Sequence, residues 1–171
     1  MRPLARTALG AAIAASVALP ACGDEDTPSS AEAGRPSKSE FIAQADGLCT
    51  QAGERYDAAI AGLPPFEAIV AEDVSLRTMR EVARMAPRIA AVEGDLERDL
   101  RALEPPAGIE PRWERALATL GARAAAAEEI AAAAEAGDRG RYLVAFGRFD
   151  REGSKSSAAL RGYGFKVCAR G

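Results

Sequence analysis

Histidine is absent from this chain of 171 residues. Its absence excludes Ser-His-Asp and Cys-His catalysis, histidine-ligated zinc, copper and haem, and a histidine pH switch. The chain also lacks the motifs of several common active sites: an EF-hand loop, a P-loop, Gly-x-Ser-x-Gly and Gly-x-Gly-x-x-Gly. From these absences we expect no catalytic residue, no metal, no cofactor and no enzymatic activity.

No apolar run reaches the roughly 20 residues that a helix needs to cross a bilayer. The longest run, Ala8 to Ala21, follows Arg2 and Arg6 and has only about 14 residues. A basic start, a short apolar middle and small residues before a cleavage point are typical of a secretory signal peptide. An uncleaved anchor helix and an ordinary signal peptide without lipid are the alternatives.

The segment Leu19-Pro20-Ala21-Cys22 resembles the lipobox of bacterial lipoproteins. The resemblance implies that residues 1–21 are removed and that the thiol of Cys22 is acylated. Two or more acyl chains, palmitate among them, are enough for stable anchoring. We therefore expect a chain anchored by lipid to the extracytoplasmic face of a bacterial cell membrane.

The charge and composition after Cys22 indicate a linker followed by one helical domain. Residues 22–37 are small or polar and predict a flexible linker, and residues 38–171 have the size of a single domain. Removal of Arg2 and Arg6 would change the net charge from −3 to −5. This mildly acidic balance argues against nucleic acid as a partner.

Four segments have apolar residues at helical spacing, and none has the alternation of a strand. The first begins at Ser37 or Ser39 and ends before Pro64. The second runs from Phe66 to Leu103 in two pieces, with a break or kink expected near Pro87. The third begins near Pro111, and Gly137 ends it; the fourth runs from Arg139 to Tyr163, with Asp138 as its cap. These segments predict an all-α fold, an antiparallel four-helix up-down bundle.

If Cys22 is lipidated, Cys49 and Cys168 remain in a compartment that permits disulfides. Two cysteines allow one intramolecular bond, which would join the first helix to the residues after the fourth. A redox-active pair and two free thiols are the alternatives. Redox pairs usually lie close together in sequence, as in Cys-x-x-Cys, and these two do not. We therefore favour a structural disulfide.

Motifs around both cysteines resemble those of a group of small actinobacterial lipoproteins of unassigned function. The resemblance covers most of residues 38–168 and is specific at the two cysteine motifs. It implies an envelope location, a helical domain and a paired cysteine, but it assigns no activity and no functional residue. The motifs that carry it are Phe41-Ile42-Ala43-Gln44-Ala45-Asp46-Gly47-Leu48-Cys49, Leu103-Glu104-Pro105-Pro106, Ala136-Gly137-Asp138 and Tyr163-Gly164-Phe165-Lys166-Val167-Cys168.

Three side-chain groups are candidates for a site, and each has a simpler structural explanation. Six aromatic residues could line an apolar pocket, but filling of the core opposite the alanine-rich third helix is the simpler role. The basic residues of the last helix could bind an anionic ligand such as lipid head groups, or lie solvated and paired with Glu128, Glu129 and Glu135. The aromatic group is Phe41, Trp113, Tyr142, Phe146, Phe149 and Tyr163, and the basic group is Arg141, Arg148, Arg151 and Lys155.

Acidic residues are dense between Glu93 and Asp99, and Glu128 adjoins Glu129. Neighbouring carboxylates on a helix point in different directions, so we expect them to lie on solvated faces.

The sequence favours a lipid-anchored binding or interaction module, with an envelope protein as its possible partner. The alternatives are an accessory subunit that docks its alanine-rich face on an envelope complex and, less favoured, a carboxylate-dependent hydrolase.

Overall fold

The structure, a computed structural model, describes residues 34–170, all of whose regular elements are helices. Predictions that concern the signal peptide and Cys22 lie outside these residues. The elements are α1 (Lys38–Ile60), α2 (Phe66–Ile69), α3 (Leu76–Arg101), α4 (Glu110–Glu135) and α5 (Arg139–Arg161). The predicted all-helical fold is therefore confirmed.

The helix ends lie where the capping residues predict them. Ser37 and Glu40 form a capping box at the start of α1, in which the Glu40 side chain accepts from the Ser37 N–H at 2.9 Å. Asp138 Oδ1 accepts from the backbone N–H of Arg141 at 3.0 Å at the start of α5. Gly137 has a φ of 67°, a left-handed conformation that favours glycine after the end of α4.

The predicted second helix is divided, and of the break or kink expected near Pro87 the break is wrong. The interruption lies at residues 70–75, between α2 and α3, and α3 continues through Pro87. Pro87 is exposed, whereas Ala83, Ala86 and Ala90 around it are buried. Because the buried side of α3 packs against α4, tertiary contacts hold the helix together although proline removes one backbone hydrogen bond.

The buried apolar residues of the described chain form three clusters, and the two larger ones centre on Trp113 and Tyr142. The Trp113 core combines Phe41, Leu100, Leu117, Leu160 and Phe165 around Trp113, whose ring lies 4.9 Å edge-on from that of Phe41. Such aromatic pairs stabilise by about 0.5–1.5 kcal/mol beyond their burial. The Tyr142 core combines Met79, Val82, Ile130, Ala133 and Ala145 around Tyr142.

Helix packing leaves a space between the first and last helices. α3 packs against α4, α4 packs against α5, and α1 packs against α3. No Cα atom of α1 lies within 8 Å of one in α5. Residues 162–170, here called the C-terminal segment, instead bridge these helices, because Cys168 is bonded to Cys49 and the carbonyl of Ala169 accepts from Arg161.

Candidate ligand-binding cavity

A cavity of about 720 Å³ lies among α1, α3, α4 and α5. Its volume falls within the range of about 300–1,000 Å³ that is usual for ligand sites. Most of its lining is apolar: Ile60, Leu63, Phe66, Ile69, Val82, Ile89, Ile130, Phe146 and Phe149. Ser154, Arg161 and Arg170 of its lining are exposed, so the cavity opens to solvent.

Small residues at facing positions create the cavity. Ala86 of α3, Ala127 of α4 and Gly153 and Ser157 of α5 all line it. Their small side chains occupy little of the space between the helices. At Gly153 an added Cβ would lie 3.3 Å from the Arg123 guanidinium, so glycine makes room for that side chain. The cavity therefore has a signal in the sequence, but only once the helices are placed side by side.

Arg123 and Glu93 form a buried ion pair at the wall of the cavity. Arg123 Nε lies 3.4 Å from Glu93 Oε1, and the Glu93 side chain is only 5% exposed. Burial raises the pKa of Glu93 above its ordinary value of 4.5, and the Arg123 charge opposes this shift. The expectation that Glu93 lies on a solvated face is wrong, because its face of α3 packs against α4.

The Arg123 guanidinium also contacts aromatic groups. Its central carbon lies 4.4 Å from the centre of the Phe149 ring, within the range of a cation–π interaction. Burial raises the pKa of the Tyr56 phenol, with Arg123 lowering it and Glu93 raising it by smaller amounts. Tyr56, Arg123 and Phe149 thus form one polar–aromatic patch inside a largely apolar cavity.

Three further charged residues line the cavity: Asp150, Arg161 and Arg170. All three are exposed. Arg161 Nη2 donates to the carbonyl of Ala169 at 3.1 Å, which brings the end of α5 against the C-terminal segment. Within residues 34–170 none of these three side chains forms an ion pair.

The predicted disulfide between Cys49 and Cys168 is present, with Cα atoms 5.2 Å apart. Next to it is a feature that the sequence did not predict. The Asp46 carboxylate accepts three hydrogen bonds from consecutive backbone N–H groups, those of Lys166 at 3.0 Å, Val167 at 2.9 Å and Cys168 at 3.0 Å. Asp46 lies one helical turn before Cys49, so the C-terminal segment is attached to α1 at adjacent positions.

The proposed anionic-ligand face of α5 lies away from the cavity. Arg148 pairs with Glu129 at 2.7 Å, as one of the two explanations predicted, and Lys155 pairs with Glu152 at 2.7 Å. Arg141 and Arg151 are exposed and make no ion pair within residues 34–170. None of these four basic residues lines the cavity.

The six aromatic residues divide between the two roles considered for them. Phe146 and Phe149 line the cavity. The other four, Phe41, Trp113, Tyr142 and Tyr163, are buried in the two cores. The sequence missed Tyr56 and Phe66 as lining residues, because helical spacing alone marks them as ordinary members of an apolar face.

Asp95, Glu97 and Asp99 are partly exposed, and Glu128 and Glu129 are exposed. In the described part of the chain, no group of three or more Asp, Glu or Cys side chains is arranged to hold a metal ion. Among residues 34–170, no helix combines the length and the hydropathy that crossing a bilayer requires.

No protein-family model, no curated protein and no solved structure matches the chain.

Proposed function

We propose that this chain is a lipid-anchored, extracytoplasmic binding protein that holds a small, largely apolar ligand in the cavity between its helices. The observation that carries this proposal is the cavity of about 720 Å³, with its apolar walls and a partly buried polar–aromatic patch. Apolar lining with a few placed polar groups is the usual composition of small-molecule sites. The apolar walls would bind the ligand, and Arg123 would supply a polar and cation–π surface beside it.

An antiparallel four-helix up-down arrangement is part of the same proposal. The start of α3 shares the Tyr142 core with the end of α4 and the start of α5. The end of α3 shares the Trp113 core with the starts of α1 and α4 and the end of α5. Helices in opposite directions would bring these ends together.

Membrane attachment is proposed from the sequence alone, through acylation of Cys22. Mass spectrometry of the protein isolated from its native membrane tests it directly. We expect a chain that begins at residue 22 and carries acyl chains, and a Cys22→Ser variant that is not acylated. Recovery of the unprocessed chain from the cytosol would contradict both the anchor and the location.

The proposal contains no catalytic step. The hydrolase alternative requires two acids facing a cleft, but Glu93 is buried against Arg123 and only Asp150 among the acids lines the cavity. The accessory-subunit alternative proposed docking through the alanine-rich helix. Its alanines at 126, 127, 131, 133 and 134 are buried within this chain, so that alternative needs a different surface.

Binding of the neutral apolar dye Nile red tests the cavity function. We expect its fluorescence to rise on addition of the full chain and to saturate at one dye per chain. Ser154→Trp places a large ring at the mouth of the cavity, because residue 154 lines it and is exposed. This variant should weaken dye binding by about tenfold or more, which corresponds to about 1.4 kcal/mol.

The matched control is Arg151→Trp, which puts the same ring on an exposed position of α5 outside the cavity. It should bind the dye as the unmodified chain does. Equal binding by the unmodified chain and both variants would show that the dye binds elsewhere. Absence of binding to the unmodified chain would overturn the cavity function.

A further inference from the structure

The cavity follows one face of α5 for most of that helix. Its lining residues there begin at Phe146 and end at Arg161, and a rise of 1.5 Å per residue makes this span about 22 Å. The hydrocarbon core of a bilayer is about 30 Å thick, so an acyl chain in one leaflet extends about 15 Å. The cavity is therefore long enough for one acyl chain together with its head group.

The end of the cavity nearest the start of α5 is apolar. Leu63, Phe66, Ile69 and Phe146 line it, and the rings of Phe66 and Phe146 lie 6.2 Å apart. Phe66 remains 60% exposed, which is unusual for a large apolar side chain beside an apolar wall. This end offers contacts to a hydrocarbon chain, and Asp150, one helical turn after Phe146, is the charged lining residue of α5 nearest to it.

The opposite end is basic. Arg161 and Arg170 both line it. Arg161 donates a hydrogen bond to Ala169, the residue before Arg170, so the two arginines lie at the same end of the cavity. Neither forms an ion pair within residues 34–170. The acidic lining residue, Asp150, precedes Arg161 on α5 by about 16 Å along the helix axis. Among the lining residues of the described chain, the two basic charges at this end are therefore separated from the acidic one.

We infer that the ligand is a long-chain anionic amphiphile, with its chain between α1 and α5 and its carboxylate or phosphate head at Arg161 and Arg170. The inference rests on the cavity function proposed above and adds the ligand's charge and direction. Guanidinium groups suit such heads, because their N–H groups bind carboxylate and phosphate oxygens in pairs. Arg123 is less suited, since Glu93 already pairs with it.

Three compounds with the same twelve-carbon chain test the inference: dodecanoate, dodecanol and dodecylammonium. Each is titrated into the delipidated full chain with its disulfide intact, below its micelle concentration, and displacement of Nile red is measured. We expect dodecanoate to bind about tenfold more tightly than dodecanol, and dodecylammonium to bind most weakly. The preference should decline as salt concentration rises, because salt screens exposed charges.

Arg161→Gln/Arg170→Gln should lose the preference and bind dodecanoate no more tightly than dodecanol. Arg170→Gln alone, which leaves the Arg161–Ala169 hydrogen bond in place, should lose part of the preference. The control Arg141→Gln/Arg151→Gln removes the same charge from α5 outside the cavity and should keep the full preference. Trp113 fluorescence checks that each variant is folded.

The outcomes separate the two proposals. Equal binding of all three compounds by the unmodified chain would overturn the anionic head and leave the cavity function standing. A preference that persists in the double variant at the cavity end would also overturn it. Absence of binding by every compound and by Nile red would overturn both proposals.

Discussion

The Asp46 carboxylate accepts a hydrogen bond from the backbone N–H of Cys168 at 3.0 Å. Asp46 lies one helical turn before Cys49, the residue to which Cys168 is bonded. The same carboxylate accepts from Lys166 and Val167. Three N–H groups pointing at one carboxylate form an anion-binding concavity of the backbone. The C-terminal segment is thus attached to α1 by a covalent bond and by a charge-assisted cluster.

Asp46→Asn is expected to weaken this attachment. Asparagine keeps one acceptor oxygen but loses the charge, and hydrogen bonds to charged groups contribute about 1.5–3 kcal/mol. We expect the free energy of unfolding to fall by that amount and the disulfide to be reduced faster by added thiol. Asp57→Asn, on an exposed part of the same helix, is the control and should change neither quantity. Equal reduction rates in both variants would contradict the role of Asp46.

Removal of the disulfide in Cys49→Ala/Cys168→Ala is expected to lower the free energy of unfolding more than Asp46→Asn does. The bond closes a loop with a sequence separation of 119 residues. The chain-entropy estimate for such a loop is about 5 kcal/mol, and removal of native disulfides typically costs about 2–5 kcal/mol. Urea unfolding followed by Trp113 fluorescence measures the loss, and reduction of the unmodified chain should give the same value. An unchanged urea midpoint would contradict this expectation, because it would show that loss of the disulfide gives the unfolded chain no additional conformational entropy.

Glu93 is expected to make stability depend on pH in the acidic range. Burial raises its pKa in the folded state, so folding favours the protonated form. The protonated Glu93 carboxyl therefore contributes stability that is fully present below its ordinary pKa of 4.5. This contribution is lost as the pH rises through the raised pKa. Glu93→Gln mimics the protonated form and should unfold at neutral pH with a free energy equal to or above that of the unmodified chain.

The reciprocal variant, Arg123→Met, should behave differently. It leaves the buried carboxylate of Glu93 without its partner, a change that commonly costs about 3–5 kcal/mol at neutral pH. The loss should diminish in acid, where Glu93 is protonated. Unfolding curves at acidic and neutral pH measure both variants. A loss for Glu93→Gln as large as that for Arg123→Met would contradict this assignment.

Tyr142→Phe is expected to leave the protein as stable or to stabilise it by about 1 kcal/mol, because the buried hydroxyl has no hydrogen-bond partner in the described residues. Burial raises the pKa of this phenol to about 12. Because folding favours the protonated phenol, the free energy of unfolding should fall as the pH rises from 10 towards 12. Tyr142→Phe has no ionisable group there and should not show this fall. Tyr142→Ala removes the ring from the core and should cost about 3–5 kcal/mol. A clear loss in Tyr142→Phe would reveal a hidden partner for the hydroxyl.

Local sequence determined the helices, their ends and the cysteine pairing. Caps such as Ser37 and Asp138 act on their own first turns, so no distant residue is needed to predict them. With Cys22 acylated, as proposed, Cys49 and Cys168 permit one bond inside the chain. These predictions succeeded because each depends on neighbouring residues or on a count.

Tertiary structure decided what depends on residues distant in sequence. Glu93 is buried because Arg123 and α4 cover it, and α3 continues through Pro87 because its other side is packed. The cavity exists because the C-terminal segment bridges α1 and α5 while small residues at positions 86, 127, 153 and 157 face the space between them. Helical periodicity identifies an inward face but contains no information on the distance to the helix opposite. That distance alone separates a filled core from a binding site.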